Sequence, residues 1–494
     1  MNKTPDKEEV VMSLASFIPT VKTEFDPTFK ATGSGGMTLW SQCARKLGLF
    51  RTVSNNLPDG PQQTLAVQLA AGLSLGGHGQ AAAELVEEDT KLQPILGIEK
   101  AVGKKRINPT LVALAGCKER KRNDAYRVVP SSSKGRPVRW QRVVQAPEPA
   151  TPESLARLRS VNFDVLSRAI KLTPSGELQL GGFYCGFLDG SLLETDAKTC
   201  ELAAKDRNGK LSVLFVGFWL GPYLLAADLF PGNTEEGTVA LRLLERGLNT
   251  LDRLGIPRKK FLLLADSAYG QGHILEALAQ SGIRYIVGMN RHRKYLTKKA
   301  GEFSDSYWSD SASPSRGNRL EKFSVFYYQG QDWKSKVEVM AVRYAAQDEV
   351  VLNDSFLTSN LTVREEKSLP QSCLGDSLLS SIWRTYARKQ QCENHQKDLF
   401  IDLGLHHPSS SRACIIQVLY EIGNLALNIG VFVSRAILKD DFHKARLWRI
   451  ARTLYSIPGL VSQHGRTLSV RLSTAPILAI QTAWKAAMEA LARI

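Results

Sequence analysis

Residues 261–289 read FLLLADSAYGQGHILEALAQSGIRYIVGM. Phe261 to Ala265 is a short, wholly apolar run, the pattern of a strand buried on both faces. His273 to Ser281 spaces its apolar residues as a helix does, and Tyr285 to Met289 is a second buried strand. Upstream, Tyr184 to Leu188, Leu211 to Leu220 and Tyr223 to Phe230 are strand-like runs parted by Gly209-Lys210 and Gly221-Pro222, which predicts three antiparallel strands joined by tight turns. Thr238 to Leu254 is a helix with Leu244, Leu248 and Leu251 inward. Beyond Asn290 the pattern breaks, and Phe323 to Tyr328, Val337 to Tyr344 and Val350 to Leu361 are further strands.

Three strands, a helix, a strand, a helix and a strand is the order of an RNase H-like mixed sheet, so the fold expected is α/β. Helical periodicity before it (Leu65, Leu69, Leu73; then Pro152 to Leu172) and after it (from about Leu378, then Arg412 to Ile437) adds helical regions at both ends. The expected division is a helical domain with a basic linker over 1–150, a first core part over 151–300, and a β-rich insert over 301–372. A second core part with a long helix over 373–437 and a basic C-terminal region over 438–494 complete it. The 494 residues hold 43% apolar and 23% charged side chains, which excludes a disordered tail or a small disulfide scaffold. No apolar run is expected to reach the roughly 18 residues of a membrane span, and Met1 to Lys22 lacks a signal pattern, so a cytoplasmic location is expected. Seven scattered cysteines, none in a CxxC spacing, read as reduced core thiols.

The net charge is +16. Twelve basic residues between Lys104 and Arg142, against Glu119 and Asp124, supply +10 of it; they include Lys104, Lys105, Arg106, Lys118, Arg120, Lys121 and Arg122. Such a density attracts a polyanion and releases its counterions, so nucleic acid is the first partner and an anionic membrane the second; a solvated linker is the plain alternative.

Asp189 and Asp266 each follow a buried strand, where an unpaired carboxylate is costly unless a cation or donor waits. Each could instead cap its following turn. Glu393 falls in one helical stripe with Tyr386, Lys389, Lys397 and Phe400, and could equally be one half of an ordinary pair with Lys397. Phosphodiester chemistry favours the first choice, because two Mg²⁺ ions about 3.5 to 4 Å apart need hard oxygen ligands.

At these residues the sequence resembles the DDE transposases of bacterial insertion sequences, in particular the group numbered thirteen-eighty of the IS-four-like assemblage. Phe187-Leu-Asp-Gly-Ser-Leu-Leu is similar to the first-aspartate motif, Leu264-Ala-Asp-Ser-Ala-Tyr-Gly to the second, and Tyr386-Ala-Arg-Lys-Gln-Gln-Cys-Glu-Asn to the glutamate block. Glu84 to Gly97 and Arg466 to Ser473 are similar to segments outside the core. Two positions depart: Lys389 stands where the signature has arginine, and Phe400 where it ends in lysine, with Arg388 and Lys397 near enough to substitute.

The resemblance implies cut-and-paste transposition with Asp189, Asp266 and Glu393 holding two Mg²⁺ ions, Mn²⁺ substituting. It implies double-stranded DNA as partner (terminal inverted repeats and target), a homodimer in the synaptic complex, a bacterial cytoplasm with nucleoid association, and no membrane. Tyr386, Arg388, Lys389 and Lys397 are then phosphate contacts beside the basic stretch. Trp308, in a Ser-rich part of the insert, is expected to stack a base that has left the helix, whereas Trp333 is expected in the insert's core. The rival reading is a catalytically damaged, transposase-derived DNA-binding protein.

Overall fold

The computed structural model describes residues 33–58, 60–120, 147–197, 199–289, 292–315, 317–331, 333–349, 351–464, 467–473 and 478–494, with the backbone of the strands Val10–Met12, Thr20–Asp26, Tyr126–Val129 and Arg139–Arg142. The chain divides into two compact units, one of Met1–Pro174, Leu193–Val213 and Lys397–Ile494, the other of Ser175–Leu192 and Leu214–Gln396.

The first unit is mostly helical. Pro152–Leu172 starts where Thr151 caps it, its hydroxyl accepting from the Ser154 N–H, with proline at the first helical position. That helix and Pro61–Ser74 pack against Ala413–Phe432. The segment Ala413–Ile437 is, against expectation, long and apolar enough to cross a membrane by length and composition, yet 89% of its most apolar window is buried within the protein. It is the unit's core helix. The C-terminal region also holds strands: Gly459–His464 and Thr467–Ser473 form a hairpin, and the second pairs in parallel with Thr20–Asp26. Leu468, Val470 and Leu472 are buried at every second position, as a half-buried strand requires. Arg466 lies outside the described residues. The cysteines are free thiols, all buried except the partly exposed Cys117.

The second unit carries the mixed sheet, apart from the strand ends Leu193–Glu194 and Leu211–Val213, which belong to the first. Its elements are β1 (Phe183–Glu194), β2 (Leu211–Leu220), β3 (Tyr223–Pro231), α1 (Glu236–Arg253), β4 (Phe261–Ala265), α2 (Gly272–Gln280) and β5 (Arg284–Gly288). There follow α3 (Arg293–Gly301), β6 (Asn318–Tyr328), β7 (Val337–Ala346), β8 (Asn353–Ser359), α4 (Leu378–Tyr386) and α5 (Gln391–Lys397). The β2–β3 hairpin turns at Gly221, whose φ of +50° lies in the left-handed region that glycine tolerates. The strand order is β6-β7-β8-β5-β4-β1-β2, with β3 paired to β2. The strands β3-β2-β1-β4-β5 thus lie in the order expected of an RNase H-like core, and β4 runs parallel to both β1 and β5. The strands expected as an insert extend this same sheet, because β8 pairs antiparallel with β5.

Candidate active site

Strand register brings the two aspartates together. In the parallel pairing of β1 with β4, Leu188 lies opposite Ala265, so the next residues, Asp189 and Asp266, leave adjacent strands side by side. Asp189 is not at a strand end as expected; β1 continues to Glu194, and the carboxylate stands mid-strand where β4 stops. Asp266 does cap its turn, its Oδ1 accepting from the Ser267 N–H, while the side chain stays 48% exposed.

Asp189 is 6% exposed and its partner is Lys389. The Lys389 Nζ donates to Asp189 Oδ1 at 3.0 Å and lies 3.6 Å from Asp266 Oδ2. The buried Cys392 thiol beside it favours the charged form of Asp189 to a smaller degree. Burial raises the Asp189 pKa against the pull of Lys389, and the charge of Asp266 adds to the rise. Burial pulls the Lys389 pKa down, but the two aspartates outweigh it and hold the ammonium above the ordinary lysine value.

A residue the sequence reading missed completes the cluster. Glu236, in the first turn of α1, accepts a 3.0 Å hydrogen bond from the hydroxyl of fully buried Tyr269. Its pKa is raised by burial first and then, against Tyr269, by Asp189 and Asp266. The only local signal was an acid at a helix start, which reads as a partner of the helix dipole.

Tyr386 reaches the same place. Its hydroxyl is where a side chain on Gly288, the last residue of β5, would fall, 2.6 Å from an added Cβ. Burial and then Asp266 push its pKa up. The expected stripe then breaks. Between α4 and α5 the chain tightens into a 3₁₀ turn over Ala387–Gln390. Four residues at about 120° instead of about 100° each rotate the downstream helix by about 80°. Lys389 lies within reach of both aspartates, while Glu393 is exposed. Among the described residues, no three His, Cys, Asp or Glu side chains lie close enough together to hold a metal ion, so Glu393 does not close a cage with the aspartates. Arg388 donates to Ser372 at 2.9 Å, Lys397 is exposed and Phe400 is a buried core residue. His395 packs near Phe187 and Trp219.

Of the basic stretch, Lys104, Lys105 and Arg106 start a helix, Lys104–Leu114. Lys104 is paired with Glu84 at 2.6 Å, and Arg120 is held by Glu148 and Glu201. Lys105, Arg106 and Lys118 are exposed, while Lys121 and Arg122 lie outside the described residues. Trp308 corrects its expectation: it is 6% exposed, and the Arg343 guanidinium covers its ring at 4.3 Å, leaving no face for a base. Trp333 is half-buried, edge-on to Tyr328 and His292, against Gly272 in the segment after Asp266.

The donor set suits a hard divalent cation, since carboxylate oxygens are its preferred ligands. The Lys389 ammonium stands in for one, a cation held by both aspartates at once. An RNase H-like sheet with paired aspartates on adjacent strands is the framework of metal-dependent enzymes that cut nucleic acid. The chain belongs to the family described as transposase DDE domain, group 1, which matches residues 215–494. The matched part contains Asp266 and Glu393 and begins after Asp189. No curated protein matches the chain. Membership gives the protein a transposase-type activity on DNA, in a family that generally uses divalent metals.

Proposed function

We propose that the chain binds the terminal inverted repeats of a mobile element and cuts and joins DNA by cut-and-paste transposition. Asp189, Asp266 and Glu393 would hold two divalent ions, Mg²⁺ with Mn²⁺ as a substitute. The observation that carries the reading is the placement of Asp189 and Asp266 at adjoining strand positions around one cation. When bound, the ions would activate the attacking oxygen and stabilise the leaving one in an in-line displacement. In that step the oxygen of water or of a DNA 3′-hydroxyl bonds to phosphorus as the bond to the bridging 3′-oxygen breaks, and no protein–DNA bond forms.

The chain's residues divide the work. Asp189 is fixed by its strand, and Asp266 by Ser267. Lys389, released from the aspartates, becomes a contact for a phosphate oxygen beside Tyr386 and Arg388. Lys105, Arg106 and Lys118 supply exposed charge for the duplex, with two copies of the chain holding the two ends.

Single-turnover cleavage of a labelled transposon end in Mg²⁺ or Mn²⁺ tests the reading. Asp189→Asn, Asp266→Asn and Glu393→Gln should each abolish cleavage and leave end binding largely intact; near-normal cleavage by any of them refutes the assignment. The exposed Glu393 and buried Phe400 favour a second reading, a damaged enzyme that still binds DNA. Specific end binding by the parent protein with no cleavage in either metal would select it.

A further inference from the structure

Glu236 lies outside the three-carboxylate pattern, yet the fold aims it at the same aspartates. Two features hold it there. The hydroxyl of Tyr269, a side chain with no exposed surface, donates to its Oε2 at 3.0 Å. Gly190, directly after Asp189, leaves a hollow that the carboxyl group fills, since a Cβ at that position would stand 2.5 Å from both Glu236 Cδ and Oε2. In that position Glu236 is repelled by Asp189 and Asp266 and attracted by Lys389.

The charge balance of this group is unfavourable as it stands. Three carboxylates face one ammonium, and one of them, Asp189, is almost fully buried. A favourable interaction with the dipole of α1 needs only an acid in the first turn, not one tethered by a buried tyrosine. A divalent cation at the two aspartates would balance the excess negative charge.

We propose that Glu236, oriented by Tyr269 and the hollow at Gly190, is a positioning residue that strengthens the binding of a divalent ion at Asp189 and Asp266. It acts through the field of its carboxylate and by accepting hydrogen bonds from the ion's water ligands. This inference rests on the metal-dependent reading of the site.

The test is Mn²⁺ binding to the full chain without DNA, read from the electron paramagnetic resonance signal of free Mn²⁺. Asp189→Asn should lose the site. Glu236→Gln, which keeps the shape and can still accept from Tyr269, should weaken Mn²⁺ binding by about 10- to 100-fold, the usual cost of removing an outer-shell partner of a metal ligand. Tyr269→Phe should weaken it less. Gly190→Ala displaces the carboxylate without removing it, so it should weaken binding in the parent but add nothing to Glu236→Gln. A urea midpoint unchanged in Glu236→Gln separates this role from a structural one. Parent-like Mn²⁺ affinity in Glu236→Gln, with the site lost in Asp189→Asn, overturns the role of Glu236 alone. Parent-like affinity in Asp189→Asn overturns the metal reading and this inference with it.

Discussion

Removing the Lys389 ammonium is the sharpest physical probe of the site. Lys389→Ala leaves the Asp189 side chain, 8% exposed, without its cation. Breaking a buried pair by deleting one partner costs about 3 to 5 kcal/mol, because the remaining charge is uncompensated. The second arm, 3.6 Å to the half-exposed Asp266, is screened by solvent and adds about 0 to 1 kcal/mol. The solvent-facing edge of the site lets Asp189 take up a proton instead, since burial already raises its pKa, which places the expected loss near the lower end, about 3 kcal/mol in EDTA. A divalent ion should repair the defect. An ion present at 100 times its Kd stabilises the folded state by about 2.7 kcal/mol. The variant should gain more from a given Mn²⁺ concentration than the parent, in which the ion must first displace the ammonium. Urea unfolding of both proteins, in EDTA and in Mn²⁺, measures the two effects. A loss under about 1 kcal/mol in EDTA would refute the electrostatic account of the pair. Equal gains from Mn²⁺ would show that the ammonium does not occupy the place of the ion.

Asp398 is buried beside Asp402, and burial first, then that neighbour, push its pKa up to about 7 despite Arg446 at 2.6 Å. The folded state then keeps a proton that the unfolded chain releases near pH 4, so stability should fall as pH rises from about 4 to about 7. Asp398→Asn should remove that slope, and urea midpoints at pH 5 and pH 7.5 that fall equally in both proteins would exclude Asp398 as its source. Trp308→Ala should destabilise the protein by about 3 to 5 kcal/mol, as a buried aromatic does, and an unchanged melting curve would show that its burial contributes little.

The local elements were legible because each is written in a short-range period. Phe261–Ala265 is apolar at every position and buried at every position, and the helix at Pro152–Leu172 begins at its Thr151 cap. The two aspartates stood out because each follows an apolar run in which a charge is costly to bury, although β1 continues through Asp189 to Glu194. The β-hairpin of Gly459–His464 and Thr467–Ser473 went unread, although Leu468, Val470 and Leu472 carry the period of a strand, because a seven-residue signal amid basic residues is weak on its own. Trp308 was misread because its Ser-rich neighbours say nothing of Arg343, which reaches it from a different strand.

What one chain read alone determined was therefore the identity and chain order of the main strands of the central sheet, the pair of acids at Asp189 and Asp266, and the basic stretch. The tertiary structure decided which groups meet there. Pairing register put the aspartates side by side, and the segment after α4 set Lys389 against them and left Glu393 exposed. The β2–β3 hairpin returned the chain so that Glu236 came against Gly190, a contact 46 residues apart in sequence. Side-chain period is a property of neighbours along the chain, whereas electrostatic compensation of a buried charge depends on whatever the fold brings within a few ångströms of it, and no local pattern encodes that.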